Sequence, residues 1–369
     1  MATAKYKRNS RGKFETKVWD GTYTAAGTKH RITLSTDKSS RELERLVNEH
    51  NEKLKNRALV RQADMTFIEY ARKWKISYKG DKEHNTQAMY DNIIEKHLIA
   101  VNCRADEVSH IHYMDLMANT KGDRTKQQIA MTFKQIVRAL IKDRYLPASA
   151  LSDIFDNTVK TNYKAPEKRP LTTYEIQACF NAPLDPQDQM YVYILYGCGL
   201  RRGEALALTK FDFNLEKQEV SVTKALYFDG NNPFIKNHTK NKVRRTVPIP
   251  DAIFPFVRKY ILSLPGNNIF HMENSDDLQT KSSYRCSWDR ILNALQSVSS
   301  EPISGLTAHI FRHNYCSMLC YQVPKISSKK NAELMGDTEK MVLEVYNHVI
   351  NEKEKPAEIV SETFHVKTS

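Results

Sequence analysis

The strongest constraint on this chain lies between residues 65 and 141, where apolar residues recur at helical rather than strand spacing. Phe67, Tyr70, Ala71 and Trp74 make one stripe, and Tyr90, Ile93, Ile94, His97 and Leu98 make a second. Met114, Leu116 and Met117 follow, then Ile129, Phe133, Ile136, Val137, Leu140 and Ile141. Residues three and four apart share a helix face, so each stripe predicts an amphipathic helix with one side to bury. Four in succession predict a helical bundle. Cations interleave with the stripes, Arg72, Lys75, Lys126 and Lys134 among them. One such charge is ordinarily a solvated residue; the set suits a phosphate backbone, which asks for charge and little base reading.

The period changes on either side of this bundle. Residues 14–19 and 29–36 alternate as strands do, with Gly21 and Gly27 at the intervening turns. Asp37 or Ser39 can cap a following helix that reaches about Leu54, with Leu43, Leu46 and Val47 on its apolar side. The expected unit is a small three-stranded sheet packed by one helix. Its basic residues, Lys13, Lys17, Lys29 and Arg31, suit a strand ribbon laid in a DNA groove. Residues 51–64 lack apolar periodicity, and their second half reads as a linker. A second linker is expected at 162–170, where Lys164, Lys168 and Arg169 stand with Pro166 and Pro170. Such a run is exposed and extended, and its cations could track a duplex. The layout is therefore multidomain α+β: a small sheet-and-helix unit (1–57), a helical unit (64–161), the linker (162–170), and a mainly α region (171–369) with a small antiparallel sheet.

Composition narrows the partner. The net charge is +13 with a pI near 9.3, which favours a polyanion, nucleic acid ahead of membrane. Six cysteines are scattered without a CxxC or disulfide-like pattern, as in a reducing compartment. Cys316 and Cys320 share a helix face with His313, but small buried residues explain that better than zinc, so no metal is expected. With no signal peptide and no apolar run of bilayer length, the expectation is a soluble cytosolic protein.

The chemistry gathers in the last region. An apolar run at 190–196 ends in Gly197-Cys198-Gly199-Leu200-Arg201-Arg202-Gly203-Glu204. An arginine beside glycines at the end of a buried helix can reach a cleft, and Glu204 can orient its guanidinium. Residues 219–222 alternate as a strand, and 239–250 read as a turn entering another, with Lys240 near a hairpin tip and Lys242 and Arg244 beside it. His309 and Arg312 stand one helical turn apart, with His313 adjoining. Tyr346 and His348 follow in an amphipathic stretch. Each residue has a bland alternative: a solvated turn lysine, a packed aromatic, a common His-Arg pair.

Taken in order, Gly199-Leu200-Arg201-x-x-Glu204, the Lys240 turn leading to Val247-Pro248-Ile249-Pro250, His309-x-x-Arg312-His313, and Leu334-Met335-Gly336 with Tyr346-x-His348 resemble the tyrosine recombinase family. Integrases of phages and conjugative transposons are the nearest likeness, across nearly the whole chain. The resemblance implies Tyr346 as nucleophile, Arg201 and Arg312 as a phosphate clamp, Lys240 as general acid with Lys242 its competitor, and His309 as an assisting group. It implies double-stranded DNA as partner, a homotetramer on DNA with a Holliday-junction intermediate, and an excisionase or DNA-bending accessory protein. No cofactor is implied, and no Walker-type glycine loop stands in the sequence. The physics is consistent: forked arginine donors stabilise charge on the non-bridging oxygens, a phenol titrating near 10 needs a cationic pocket, and a leaving alkoxide needs an acid.

One position departs. Where the family places His or Trp after Gly336, this chain has Asp337, and either Asp337 or Thr338 is read as the cap of the helix containing Met341, Val342 and Val345. The missing phosphate donor would fall to His313 or His348. Two rivals stay open: a type IB topoisomerase-like relaxing enzyme, and a DNA-binding accessory protein with impaired catalysis. The tail, 351–369, carries Ile359, Val360, Phe364 and Val366, an apolar patch suited to docking on a neighbouring protomer or folding back in cis.

Overall fold

The computed structural model describes residues 5–23, 28–58, 62–156, 163–164, 169–241 and 243–353. The chain divides into two compact units, Met1–Ala165 and Pro166–Ser369. In the first, β1 (Phe14–Tyr23) pairs antiparallel with β2 (Lys29–Thr36), and α1 (Ser40–Ala58) packs across both. Ser39 opens α1, its hydroxyl accepting from the Glu42 amide at 3.1 Å. Leu43 and Val47 are its buried anchors. The expected third strand is not there among the described residues; the sheet has two strands, extended by a single bridge between Arg8 and Phe14. Paired residues share a face. Lys17 opposite Thr33 and Arg31 opposite Trp19 therefore lie on the exposed side, where the Lys29 ammonium sits 4.9 Å from the Trp19 ring centre. Lys13, just before β1, is exposed as well.

The bundle follows as α2 (Phe67–Lys79), α3 (His84–Lys96), α4 (His110–Asn119), α5 (Asp123–Lys142) and α6 (Ala150–Phe155). On α2 the stripe is the one the periodicity predicts, with Phe67, Tyr70, Ala71 and Trp74 its buried residues, whereas on α4 Tyr113 and Leu116 are buried and Met114 and Met117 only half-buried. Ile129, Phe133, Ile136, Val137 and Leu140 are buried on α5. Each fully buried large side chain of this kind contributes roughly 1.5–3 kcal/mol. Two cations expected to meet DNA are already compensated, Arg72 by Glu95 at 2.6 Å and Lys75 by Asp91. Lys126 and Lys134 are half-buried on α5, with the Lys134 ammonium over the Phe155 ring.

The second unit is mainly helical with small antiparallel sheets. Its helices are α7 (Thr173–Asn181), α8 (Pro186–Cys198), α9 (Arg202–Leu206), α10 (Phe254–Ser263), α11 (Lys281–Val298), α12 (Ala308–Cys320), α13 (Ser328–Met335) and α14 (Glu339–Lys353). Its strands β3 (Phe213–Asn214), β4 (Glu219–Val222) and β7 (Arg245–Pro248) form one sheet in the order β3-β4-β7; β5 (Ala225–Asp229) and β6 (Asn232–Lys236) form a separate hairpin. Lys240 therefore lies on the connection between two sheets and not at the tip of a hairpin.

Packing of α8 explains much of the geometry. Met190, Val192, Ile194, Leu195 and Cys198 are fully buried, so this helix runs through the core and fixes its C-terminus. Asn314 on α12 accepts from the Leu171 amide at 3.2 Å, which ties the entry of the unit to the helix bearing Arg312. Arg169 is not a free linker cation: its guanidinium forks onto buried Glu175 with two 2.6 Å contacts. Lys168, Lys242 and residues 354–369 of the tail lie outside the described residues. Among the described residues no helix is long and apolar enough to cross a membrane.

Candidate active site

Three buried or half-buried arginines and two carboxylates meet where α8 ends, α9 begins and α13 turns into α14. Gly199 ends α8 in the left-handed region (φ 60), and Leu200 and Arg201 then lead into α9. A Cβ on Gly199 would stand 2.4 Å from the Tyr315 ring. Gly199→Ala combines backbone strain with a ring clash, so it should lower the unfolding free energy of this unit by about 2 kcal/mol or more. Urea unfolding followed by tryptophan fluorescence reads the change.

Glu204, 1% exposed, is the hub. It accepts from the Arg201 backbone amide at 3.0 Å and from Arg201 Nη1 at 2.8 Å. Its second partner is Arg245 on β7, whose Nη2 donates at 2.6 Å. Arg312 Nη1 stands 4.0 Å away. A charge this deep persists only when paired and hydrogen-bonded. Burial alone would raise the Glu204 carboxyl; the hydrogen bond and charge of Arg245, with Arg201 and Arg312, outweigh it and hold it below the ordinary carboxylate range.

Arg312 is 3% exposed, and backbone carbonyls aim its fork. Nη1 donates to Gly199 O at 2.9 Å and Nη2 to Met335 O. Burial, then repulsion from Arg201, pulls its guanidinium down to about 10, against support from Glu204 and Asp337; it stays protonated at neutral pH.

Asp337 is not the helix cap the sequence suggested. Thr338 directly precedes α14 and its carbonyl accepts from the Met341 and Val342 amides, while the Asp337 carboxylate points at the arginines. Its Oδ2 accepts from Arg201 Nη2 at 2.8 Å and from Arg312 Nη2 at 3.1 Å. Burial pushes this carboxyl up, but Arg201 and Arg312 outweigh that and hold it low, so it is an anion. Gly336, left-handed at φ 58, brings the turn against Arg245, and its carbonyl accepts from Arg201 Nη2 at 3.1 Å.

Of the residues expected from sequence, Arg201, Arg312 and Asp337 come together in direct contact. Lys240 is exposed, but its neighbours hold the loop: Thr239 Oγ1 donates to Val243 O at 2.9 Å, and Asn241 Nδ2 donates to Gly336 O at 3.0 Å. Arg244 is exposed beside it. His309 is exposed on the first turn of α12, and His313 is half-buried one turn on. Tyr346 lies on α14, half-buried against a cluster of Cys316, Cys320, Ala332, Met335 and Val342. Cys316 and Cys320 thus serve packing. His348 is on the same helix, with its side chain outside the described set.

Two residues escaped the sequence reading. Arg245 passed as one of several turn cations, yet it alternates with Val247 and Ile249, all three buried, and that strand parity was the available signal. Asn241 carries no such signal.

Residues 169–353, half of the chain, match the family model described as "Phage integrase family". The chain belongs to that family. The tyrosine recombinase XerD of Proteus mirabilis is 21% identical over 225 residues, an alignment covering 59% of this integrase-family chain and 61% of that protein's length. Among solved structures, the Tn1549 transposon integrase in complex with a circular intermediate DNA superposes with a TM-score of 0.63 at 20% identity, over 77% of this chain and 95% of that one. A lambda integrase tetramer bound to a Holliday junction gives 0.55 at 14% identity, over 91% and 96%. At such identities these likenesses speak for the fold.

Proposed function

We propose that this chain is a site-specific DNA recombinase, an integrase that inserts and excises a mobile element. The observation that carries the reading is convergence: two guanidinium forks, from Arg201 and Arg312, meet at a single oxygen, Asp337 Oδ2. An oxygen held so is where a non-bridging oxygen of a phosphodiester would be stabilised as charge builds on it. In this reading Tyr346 Oη attacks the scissile phosphorus, the bond to the 5′ oxygen breaks, and a 3′-phosphotyrosyl link forms. Lys240 protonates the leaving 5′ oxygen. His309 assists proton transfer or contacts the phosphate, with His313 and His348 as further donors. The phosphotyrosyl ester conserves the bond, so a 5′ hydroxyl from a second duplex can reverse the step and join new partners.

The reading extends to the whole chain. Residues 1–57 would bind arm-type sites through Lys13, Lys17, Lys29 and Arg31, and residues 64–161 would straddle the core site. Arg244 and Lys242 would meet the backbone near the cut. Four protomers would act on two sites, as support from the lambda tetramer on its junction suggests. An excisionase or DNA-bending protein would set direction.

The test is a nicked suicide duplex carrying the element's own end, incubated with the full chain and resolved on a denaturing gel. A covalent adduct is expected, and Tyr346→Phe should abolish it. One observation favours the accessory-protein reading, the Asp337 carboxylate already seated between the arginines; absence of any adduct would support it. Relaxation of any supercoiled plasmid without sequence preference would point to a topoisomerase.

A further inference from the structure

We infer that Asp337 is a built-in placeholder for the scissile phosphate: its carboxylate fills the arginine clamp when DNA is absent and must leave before a phosphodiester can enter. This deepens the recombinase reading and rests on it for the identity of the incoming anion.

The geometry gives the reason. Asp337 Oδ2 takes one donor from each clamp arginine, at 2.8 and 3.1 Å, and Oδ1 accepts from Thr338 N at 3.2 Å and faces Asn241 Nδ2 at 3.4 Å. The one carboxylate therefore touches both arginines and the residue that follows Lys240. It also directly precedes α14, the helix carrying Tyr346. Around it stand Arg201, Arg245 and Arg312, facing Glu204 and Asp337. A phosphodiester carries one negative charge, as the carboxylate does. Exchange of one for the other leaves the cluster's charge unchanged; both at once would set two anions on the same donors.

Tethering makes the exchange selective. A side chain on a short connection competes at an effective concentration of millimolar or above. Free phosphate or sulfate at low millimolar levels gains little against it. A DNA phosphate held in place by the rest of the protein is itself tethered, so it can displace the carboxylate. The clamp thereby ignores inorganic anions and opens to a delivered duplex. Departure of Asp337 also releases its contacts beside Lys240 and at the head of α14, so general acid and nucleophile are freed by the same event.

The experiment compares native protein with Asp337→Asn, which keeps the shape and one acceptor but removes the charge. Melting temperature is followed against sodium sulfate, with sodium chloride at matched ionic strength as control. At low millimolar sulfate, where its general salting-out effect is small, sulfate should stabilise the variant over chloride and leave the native protein almost unchanged. On the suicide duplex the variant should form adduct several-fold faster. Equal sulfate response in both proteins, or in neither, overturns the inference. So does a variant that forms adduct more slowly than a native protein that forms it well, a result that leaves the recombinase reading standing. A sulfate response confined to the variant, with no adduct from either protein, keeps the placeholder and removes the recombinase. Should Asp337→Asn fail to fold in chloride, folding restored by sulfate supports the inference; failure of both Asp337→Asn and Asp337→Ser in either salt contradicts it and makes Asp337 a structural partner only.

Discussion

Glu204→Gln should unfold the second unit or bring it to the edge of unfolding. The wild-type carboxylate is 1% exposed and binds the Arg245 guanidinium at 2.6 Å, the Arg201 guanidinium at 2.8 Å and the Arg201 amide at 3.0 Å. A glutamine fills the same volume, offers one acceptor and brings a donor that would face guanidinium hydrogens. Arg201 and Arg312 would then keep Asp337 as carboxylate partner, while Arg245 would keep the Leu334 carbonyl. Removing one partner of a buried ion pair typically costs about 3–5 kcal/mol, a large part of the stability of an ordinary domain. Thermal and urea unfolding should show the loss in the second unit while the helical bundle of the first is unchanged. The same carboxylates give a pH dependence of known sign. Glu204 and Asp337 are both held below their ordinary values in the folded state. The stability they contribute is therefore complete above the ordinary carboxylate range and is lost as the pH falls through their depressed values.

Arg312→Lys should cut the rate of adduct formation by a factor of about 10² to 10³, the usual penalty for removing one preorganised donor to a developing oxyanion. Lysine keeps the charge and loses the fork. Arg312 needs that fork: one nitrogen is committed to Gly199 O and the other to Met335 O and Asp337. A single ammonium cannot hold both carbonyls and reach the same oxygen. Binding to the element's end, followed by gel shift, should fall little, because backbone affinity is spread over many cations. A comparable loss of binding and of adduct would place Arg312 in general electrostatics and not in the clamp.

The helical bundle was legible because its stripes are unbroken: every apolar residue read on α2 is buried there. The arginine cluster was legible in pieces, since Gly199-Leu200-Arg201 and His309-x-x-Arg312 carry local patterns that survive without knowledge of the fold. What brings the pieces together is long-range. Asp337 is far in sequence from Arg201, and nothing local says that its side chain turns away from α14 toward that arginine. A cap was the cheaper local solution; one buried and one half-buried guanidinium made a stronger claim on the carboxylate. Lys240 was misplaced for a related reason. The turn chemistry of residues 239–243 is plain, but the strands it joins pair with other partners, a choice set by β4. Arg169 shows the converse error: a proline-flanked cation reads as exposed until Glu175, buried on α7, claims it.

Mapping the covalent link decides whether Tyr346 becomes joined to DNA through a 3′ phosphate. Adduct trapped on a suicide duplex is digested with nuclease and protease, and the modified peptide is sequenced by mass spectrometry. One modified residue is expected, Tyr346, bearing a nucleotide through its 3′ phosphate. Attachment at any other residue, or through a 5′ phosphate, would contradict that expectation.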